Sequence, residues 1–448
     1  MHITPPAPVQ RALDALTDAG YAAYIVGGCV RDAMRGTQPH DWDCTTSARP
    51  EQIEQCFRGF HVIETGMQHG TVTAVIDKMP IEITTYRIDG AYADHRRPDS
   101  VTFTDRLTDD LARRDFTVNA MAYHPAQGLI DPYHGADDLA AGIIRCVGDP
   151  AARFEEDGLR ILRAMRFASV LDFDIAPETA AAIHEKRGLL TCISAERIYA
   201  ELTKLLCGKR VLPVLEEFAD VLFTVLPELA PMFKFDQQTH WHCYDVYMHT
   251  LYVIEGVPPV PVLRWAALLH DAGKPHTFTK DERGGHFYGH AKVSVEIAER
   301  ALRALKSDRK TLERVMLLVE HHDLVWENSE KQVARIVRRF DMETAEQLLA
   351  LHRADVGAQA YDIREAQQAE ADEIAEKLAA LKAADACMSL KKLALTGSDL
   401  LRAGFPQGKA IGETLNALLD QVIDGTLPNE HDALMKAAQS MLQTSGTE

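Results

Sequence analysis

Residues 25–43 read IVGGCVRDAMRGTQPHDWD: an apolar strand, two glycines, a helix beginning near Val30, then two aspartates flanking a tryptophan. The order of these pieces carries a chemistry. Gly27 and Gly28 lack side chains, so backbone amides there can approach a triphosphate closely. The following helix aims its positive end at the same place, and Arg31 adds a guanidinium suited to phosphate oxygens. If Asp41 and Asp43 share a second strand, two residues apart, they project together and offer the oxygen ligands that hard divalent cations need. Two metals about 4 Å apart would activate an attacking 3′ hydroxyl and neutralise a departing pyrophosphate. Glu82, within PIEITTYR (80–87), is a candidate third carboxylate. A double glycine alone is a common turn and DxD alone a common acidic loop; their succession is what points to nucleotidyl transfer.

Outward from this stretch, the first 148 residues alternate short apolar runs with glycines. AAYIVGG (22–28), TVTAVID (71–77) and PIEITTYR read as strands, and RALDALTDAG (11–20) reads as a helix closed by Gly20. A small α/β domain over 1–148 follows. From Asp149 the apolar spacing shifts to three and four residues through DGLRILRAMRFASVL (157–171), AERIYAELTKLLCG (195–208) and LPVLEEFADVLFTVL (212–226), which predicts helices only. The expected divisions are a helical neck over 149–210, a helical body over 211–364 and a helical tail over 365–448, with GVPPVPV (256–262) a loop inside the body.

The chain has 448 residues, 46% hydrophobic and 25% charged, enough for about three domains. Its formal charge of -18 argues against a nonspecific nucleic-acid binder, so any RNA-binding groups must be local clusters. Candidates are His95 with Arg96 and Arg97; Arg113 with Arg114; Arg160, Arg163 and Arg166; and Lys331, Arg335, Arg338 and Arg339. Eight scattered cysteines without a CxxC pair read as reduced thiols. No apolar run suits a bilayer and MHITPPAPVQRALDAL does not resemble a signal peptide, so the expected location is cytoplasmic.

Glu156, Asp157 and Arg160 stand at the expected start of a periodic helix, where Asp157 and Arg160 share a face. Cytosine and adenine each present an amino donor beside a ring-nitrogen acceptor. A carboxylate beside a guanidinium complements that edge and mismatches guanine and uracil, at roughly 1 to 3 kcal/mol per lost pairing. A helical salt bridge would give the same spacing.

Together, GGCVRDAMRG (27–36), DWD (41–43), TTYR (84–87), DGAYADHRRPDSVTF (89–103), LARRDFTVNAMAY (111–123) and EEDGLRILRAMRFA (155–168) resemble the class II tRNA nucleotidyltransferases, the CCA-adding enzymes, and their poly(A) polymerase relatives. The resemblance implies a polymerase-β-like nucleotidyltransferase sheet in the α/β head, followed by an all-α neck, body and tail. It implies addition of C, C and A to the 3′ end of tRNA from CTP and ATP with Mg2+. Arg113, Arg114 and Asp115 would contact the incoming ribose and phosphates, with Asn119 in support, and Glu156, Asp157 and Arg160 would choose the base. Arg163 and Arg166 extend that basic set. Family members that add only cytidines generally lack a flexible loop between the DxD and RRD motifs; DGAYADHRRP (89–98) is complete, which implies full CCA addition. The tail segment 393–429 is similar to the family's tRNA-contacting end.

A second constellation lies downstream. His249, the adjacent His270 and Asp271, and Asp355 form an H…HD…D series, and His290, His321 and His322 enlarge it enough for two metals. Imidazole with carboxylate suits a transition or hard divalent ion. The series resembles HD-domain phosphohydrolases, and in particular the HD body of many bacterial CCA-adding enzymes, which implies hydrolysis of phosphomonoesters or 2′,3′-cyclic phosphates. Three alternatives stay open: a poly(A) polymerase with the same head, an HD phosphohydrolase whose head is not catalytic, and a structural tRNA chaperone without turnover.

Overall fold

A computed structural model describes residues 2–67, 70–90, 100–282, 284–384 and 387–445. The chain divides into two compact units, one of residues 1–230 with 301–307 and the other of residues 231–300 with 308–448.

The first unit opens with a helix over Ala7–Asp18 that buries Val9, Ala12, Leu13 and Leu16, one stripe at three- and four-residue spacing. Gly20, with φ of +89°, turns the chain out of it. In chain order the strands are β1 (Ala23–Val26), β2 (Asp43–Thr46), β3 (His61–Ile63), β4 (Thr71–Ile76), β5 (Met79–Thr85), β6 (Arg87–Asp89), β7 (Val101–Phe103), β8 (Ala122–His124) and β9 (Gly128–Ile130). Seven of them form one sheet in the order β3-β4-β5-β2-β1-β8-β9, and β6 and β7 pair with each other. β1 is buried along its whole length: Ala23 and Ile25 join a core with Leu13, Ile53 and Ile83, while Val26 faces Tyr86, Leu111 and Ala122. β4 and β5 alternate instead, with Val72, Ala74, Ile76, Ile81 and Ile83 inward and Glu82 exposed.

One pairing in this sheet is parallel, β2 with β5, and its register sets Asp43 beside Glu82. Because neighbouring side chains across a parallel pair share a face, the two carboxylates lie together.

The neck departs from the expected pattern in two ways. A helix over Pro150–Glu156 ends at Asp157, whose backbone is extended, and a second helix begins at Leu159 and runs to Leu171. Glu156 and Asp157 therefore close one helix rather than open the next. The expectation of helices alone also fails locally, because β10 (Ile143–Ile144) pairs with β11 (Asp174–Ile175), a two-residue ladder too short to leave a periodic signal. The helix Leu159–Leu171 packs on Ala195–Leu206 so closely that a Cβ at Gly208 would lie 2.0 Å from the Ser169 hydroxyl.

In the second unit, helices over Val246–Gly256, Pro261–Leu269, Arg309–Glu320, Met342–Gly357 and Tyr361–Ala383 form the body. A Cβ at Gly256 would come within 3.0 Å of the Ala354 methyl, so Val246–Gly256 and Met342–Gly357 cross at close range. The body also carries a hairpin of β12 (Thr279–Asp281) and β13 (Gly284–His286), again against the all-helical expectation. The tail has a core of its own, built from Leu393, Leu395, Leu400, Phe405, Leu418, Leu419, Leu434 and Ala438. No helix among the described residues is long and apolar enough to cross a membrane.

Candidate functional site

The glycine pair, the aspartates and the arginines of the head meet in one cleft of about 500 Å³. Gly27, Gly28 and Arg31 line it from the turn after β1, Asp41 and Asp43 from the start of β2, and Arg114, Asp115 and Asn119 from the segment before β8. Arg163, Arg166 and Phe167 close it from the neck helix. Gly27 has φ of +79°, and a Cβ there would lie 3.0 Å from Arg114 Nη1, so a side chain would meet the guanidinium. The helix after it starts at Gly28, two residues before its expected start, and has only seven residues, so backbone amides and arginines carry more of the positive field than a macrodipole does.

Asp41 and Asp43 line the same cleft, although only Asp43 belongs to β2; Asp41 sits in the exposed bend before it. The expected placement of both on one strand is corrected accordingly. Burial pushes the Asp43 carboxyl up to about 6, helped by the charges of Glu82 and Asp41 and opposed by Arg114. Negative charge crowded into a partly buried spot is what a divalent cation relieves. Glu82 borders Asp43 in the sheet but lies outside the cleft lining.

A polar chain ties the rest together. Arg31 Nη1 donates to Asn119 Oδ1 at 2.6 Å, Asn119 Nδ2 donates to Asp115 Oδ1 at 3.1 Å, and Arg163 donates to Asp115 Oδ2 at 3.0 and 2.5 Å. Burial alone would raise the Asp115 carboxyl, yet Arg163 and the Asn119 hydrogen bond hold it well below the usual range. Phe167 gathers three guanidiniums around its ring, Arg31, Arg163 and Arg166, at 5.1, 5.4 and 3.8 Å.

Several expected contacts lie elsewhere. Arg113 turns from the cleft to donate to Asp110 at 3.0 and 2.8 Å, whereas Arg114 remains on the lining. Asp157 does not share a helical face with Arg160, because the extended backbone at Asp157 interrupts the helix. Its carboxylate accepts from Leu159 N at 3.1 Å and Arg197 Nη2 at 2.8 Å. Arg160 is buried and donates to Glu156 Oε2 at 2.5 Å and to the carbonyls of Arg153 and Arg113 at 3.1 and 2.9 Å. The segment 91–99, with His95, Arg96, Arg97 and most of the loop taken to imply full CCA addition, lies outside the described residues.

The second constellation assembles in the other unit. His249, His270, Asp271 and Asp355 form one group whose ligand atoms all lie within 4.8 Å of each other, and Asp271, His290 and His322 form another. Asp271 belongs to both. In each of the four histidines Nδ1 is paired with a backbone carbonyl: His249 with Ala358 at 3.3 Å, His270 with Ala267 at 2.8 Å, His290 with Phe287 at 2.9 Å and His322 with Val319 at 2.7 Å. That pairing orients each ring with Nε2 toward the cluster, where a metal would take its lone pair. His270 Nε2 and Asp271 Oδ2 are buried without a hydrogen bond of acceptable geometry, so the donor set fits a cation. Although burial favours neutral imidazole, the carboxylates of Asp271 and Asp355 lift His270 to about 10.

His321 is not part of either group. It follows the helix Arg309–Glu320 and packs at a tilt against Phe340, ring centroids 4.8 Å apart, while its neighbour His322 points into the cluster. Lys274, which no spacing rule singled out, is buried with Nζ 2.6 Å from Asp271 Oδ2 and 2.9 Å from Gln237 Oε1. Burial and the Lys274 ammonium push His242 down to about 3. The cleft over this cluster, about 380 Å³, is lined by His242, Lys274, Tyr288, His290, His322 and Asp355 among others. The basic run Lys331, Arg335 and Arg338 is engaged with the tail, by Asp424 at 3.1 and 3.2 Å and Asp420 at 3.3 Å.

The mixed sheet and its aspartate and arginine cleft are of the nucleotidyltransferase class. Residues 23–145 match the family described as the poly A polymerase head domain, 172–233 the probable RNA and SrmB-binding site of polymerase A, and 286–438 a putative tRNA nucleotidyltransferase domain 2. The CCA-adding enzyme of Limosilactobacillus fermentum is 34% identical over 97% of both chains, and that of Lacticaseibacillus paracasei 34% identical over 97% of this chain and 96% of its own. The chain belongs to the CCA-adding enzyme family. The crystal structure of the Bacillus stearothermophilus CCA-adding enzyme in complex with CTP aligns over 99% of this chain and 100% of its own with a TM-score of 0.72 and 28% identity. The Thermotoga maritima enzyme complexed with tRNA shares the fold at a TM-score of 0.60 and 21% identity, over 98% and 97% of the two chains.

Proposed function

We propose that the protein adds C, C and A to the 3′ end of tRNA from CTP and ATP without a nucleic-acid template. The observation that carries this reading is the single cleft in which Asp41 and Asp43 face Gly27, Gly28, Arg31, Arg114, Arg163 and Arg166. Asp41 and Asp43 would hold Mg2+, which when bound supplies activation of the 3′ hydroxyl and charge neutralisation at the leaving pyrophosphate. The arginines bind and orient the triphosphate. Asp115, ion-paired to Arg163 and bonded by Asn119, keeps that side of the cleft in register.

Base selection is assigned to Asp157 and Arg160, with Glu156 positioning the guanidinium. Both selecting groups bond within the protein in this structure, so reading a base requires an exchange of partners, with Asp157 releasing Arg197. Overall acidity confines RNA binding to local basic groups, and a cytoplasmic location is the one that fits these substrates. The working divisions are the head at 1–148, neck at 149–210, HD-type body at 211–364 and tail at 365–448. A nucleotide-omission assay on tRNA lacking its CCA end tests this reading. Incorporation from CTP and then ATP is expected, and incorporation of ATP alone would instead make the protein a poly(A) polymerase.

The second cluster supports a further activity, metal-dependent hydrolysis of phosphate esters by an HD-type site. His249, His270, Asp271 and Asp355 would hold one divalent ion and Asp271, His290 and His322 a second. The inward Nε2 atoms carry this assignment, because four separate Nδ1 pairings prepare them. Bound metal supplies an activated water; Lys274, beside the shared carboxylate, holds positive charge where an ester phosphate would sit. Phosphatase and 2′,3′-cyclic phosphodiesterase assays across Mg2+, Mn2+, Co2+ and Ni2+ test it, and no turnover with any ion defeats it.

A further inference from the structure

The hydrolytic reading uses the ligands and Lys274 but leaves Tyr288 without a role. Tyr288 is 79% exposed, yet it lines the metal-cluster cleft two residues before the ligand His290. Scattered exposed aromatics are ordinary on protein surfaces; a ring held on the rim of a polar cleft is a different matter. The chain leading into it is fixed at two points. In the β12–β13 hairpin, Gly285 N donates to Gln238 O at 2.8 Å, and a Cβ on Gly285 would lie 2.4 Å from Gln237 O and 2.7 Å from the Phe278 ring. Phe287 packs on Phe278 with centroids 5.6 Å apart and sits 5.4 Å from the Lys274 ammonium.

The ring itself is supported on one face. His286 lies almost parallel to it, 12° between planes and 5.3 Å between centroids, and the imidazole is 2.8 Å from Asp281. An anchored aromatic pair with its outer face open is a stacking surface for a planar heterocycle, a contact that every nucleobase can make. Two residues of chain separate the platform from a metal ligand, about 7 Å at most, which is comparable with the span from phosphate to base in a nucleotide.

We propose that Tyr288 is the base-stacking platform of the metal-cluster cleft, so that the site prefers nucleoside phosphates, free or at an RNA end, over small phosphate esters. This rests on the hydrolytic reading above. The test uses full-length, metal-loaded protein with Tyr288→Ala, Tyr288→Phe and Tyr288→Trp. For adenosine 3′-monophosphate, Tyr288→Ala should raise KM about tenfold with kcat little changed, whereas KM for glycerol 2-phosphate stays constant and Tyr288→Phe behaves as wild type. Separately, the tryptophan emission added by Tyr288→Trp, after subtraction of the wild-type titration, should be quenched by adenosine 3′-monophosphate or by a short RNA ending in a 3′-phosphate. The ligand that quenches at lower concentration identifies the source. Equal KM losses on both substrates, or no quenching by either ligand, would overturn the proposal. Absence of hydrolysis with every metal would defeat the hydrolytic reading alone, and the quenching would still decide the platform.

Discussion

The two clefts solve the same electrostatic problem in opposite ways. In the head, Asp41 stands in an exposed bend, Asp43 is half-buried, and Glu82 sits beside Asp43 in the sheet but off the cleft lining, so the carboxylates are neighbours without converging on one point. In the body, six side chains already converge in two groups that share Asp271, and the Nδ1 of each of four histidines is held by a backbone carbonyl. The difference is instructive. A site whose metals arrive with a triphosphate gains from leaving its ligands open until substrate completes them, whereas a site with resident ions gains from preorganisation.

The largest expected effect follows from treating the clefts as independent. Asp41→Ala combined with Asp43→Ala should reduce nucleotide addition by at least about 1,000-fold, since the pair proposed to hold the metal is removed. Phosphate-ester hydrolysis should persist at the wild-type rate. Loss of both activities in the folded variant would mean that the two clefts are not separate sites.

Next comes the carboxylate shared by the two metal groups. Asp271→Asn should weaken both metals at least about 100-fold, whereas His322→Ala should remove one and spare the other. Metal content after dialysis, read by elemental analysis, distinguishes one-ion from two-ion loss. Equal loss in the two variants would break the assignment of Asp271 as the bridge.

Much of this contrast is legible in residue order. The spacing of GG, DWD and RRD brings together nearly every lining residue of the head cleft, because a strand, a turn and a strand leave few ways to place them. Exact neighbours are harder. Gly158 is the local signal for the break that moves Asp157 off the helix, since glycine is poor in helix interiors, but EDGLR reads as one helical turn until the backbone is seen. Arg113 and Arg114 are chemically alike and both bond Asp110 one turn earlier, so their order in the sequence does not tell which of them stays on the cleft lining. His321 and His322 pose the same ambiguity at a helix end. The β12–β13 hairpin escapes because its strands have three residues each, although the paired glycines in it were a turn signal. Lys274 lies three residues after Asp271, across the turn between the helices Pro261–Leu269 and Lys274–Thr277, and a turn leaves no periodic signal to single it out.

A smaller effect concerns the polar chain that fixes the head cleft. Asp115 is buried and its carboxyl is held well below the usual range by Arg163 and Asn119 despite the opposing effect of burial. A depressed folded-state value means that the ionised group stabilises the fold above its unfolded value of about 4, and that this contribution is lost as pH falls from there through the folded value. Asp115→Asn should therefore destabilise the first unit at pH 7, on the order of 2 kcal/mol. It should also flatten the acid limb of the stability profile, measured by denaturant titration from pH 7 to pH 3. An acid limb identical to wild type would show that the chain from Arg31 to Arg163 is decorative.

The smallest effect lies in the tail, and it bears on how an acidic protein meets RNA. Lys331, Arg335 and Arg338 read in the sequence as a phosphate-binding strip, yet Asp420, Asn416 and Asp424 of the tail occupy them. These pairs are largely exposed, so salt screens them and each contributes little to stability. Their effect should appear in binding instead. Asp424→Ala exposes two cations, and if the strip meets the tRNA backbone, the plot of log affinity against log salt should steepen by about one per cation that gains a phosphate. Thermal stability should barely move. An unchanged slope would mean that the strip serves only to seat the tail, and that the phosphate contacts come from the head and neck arginines alone.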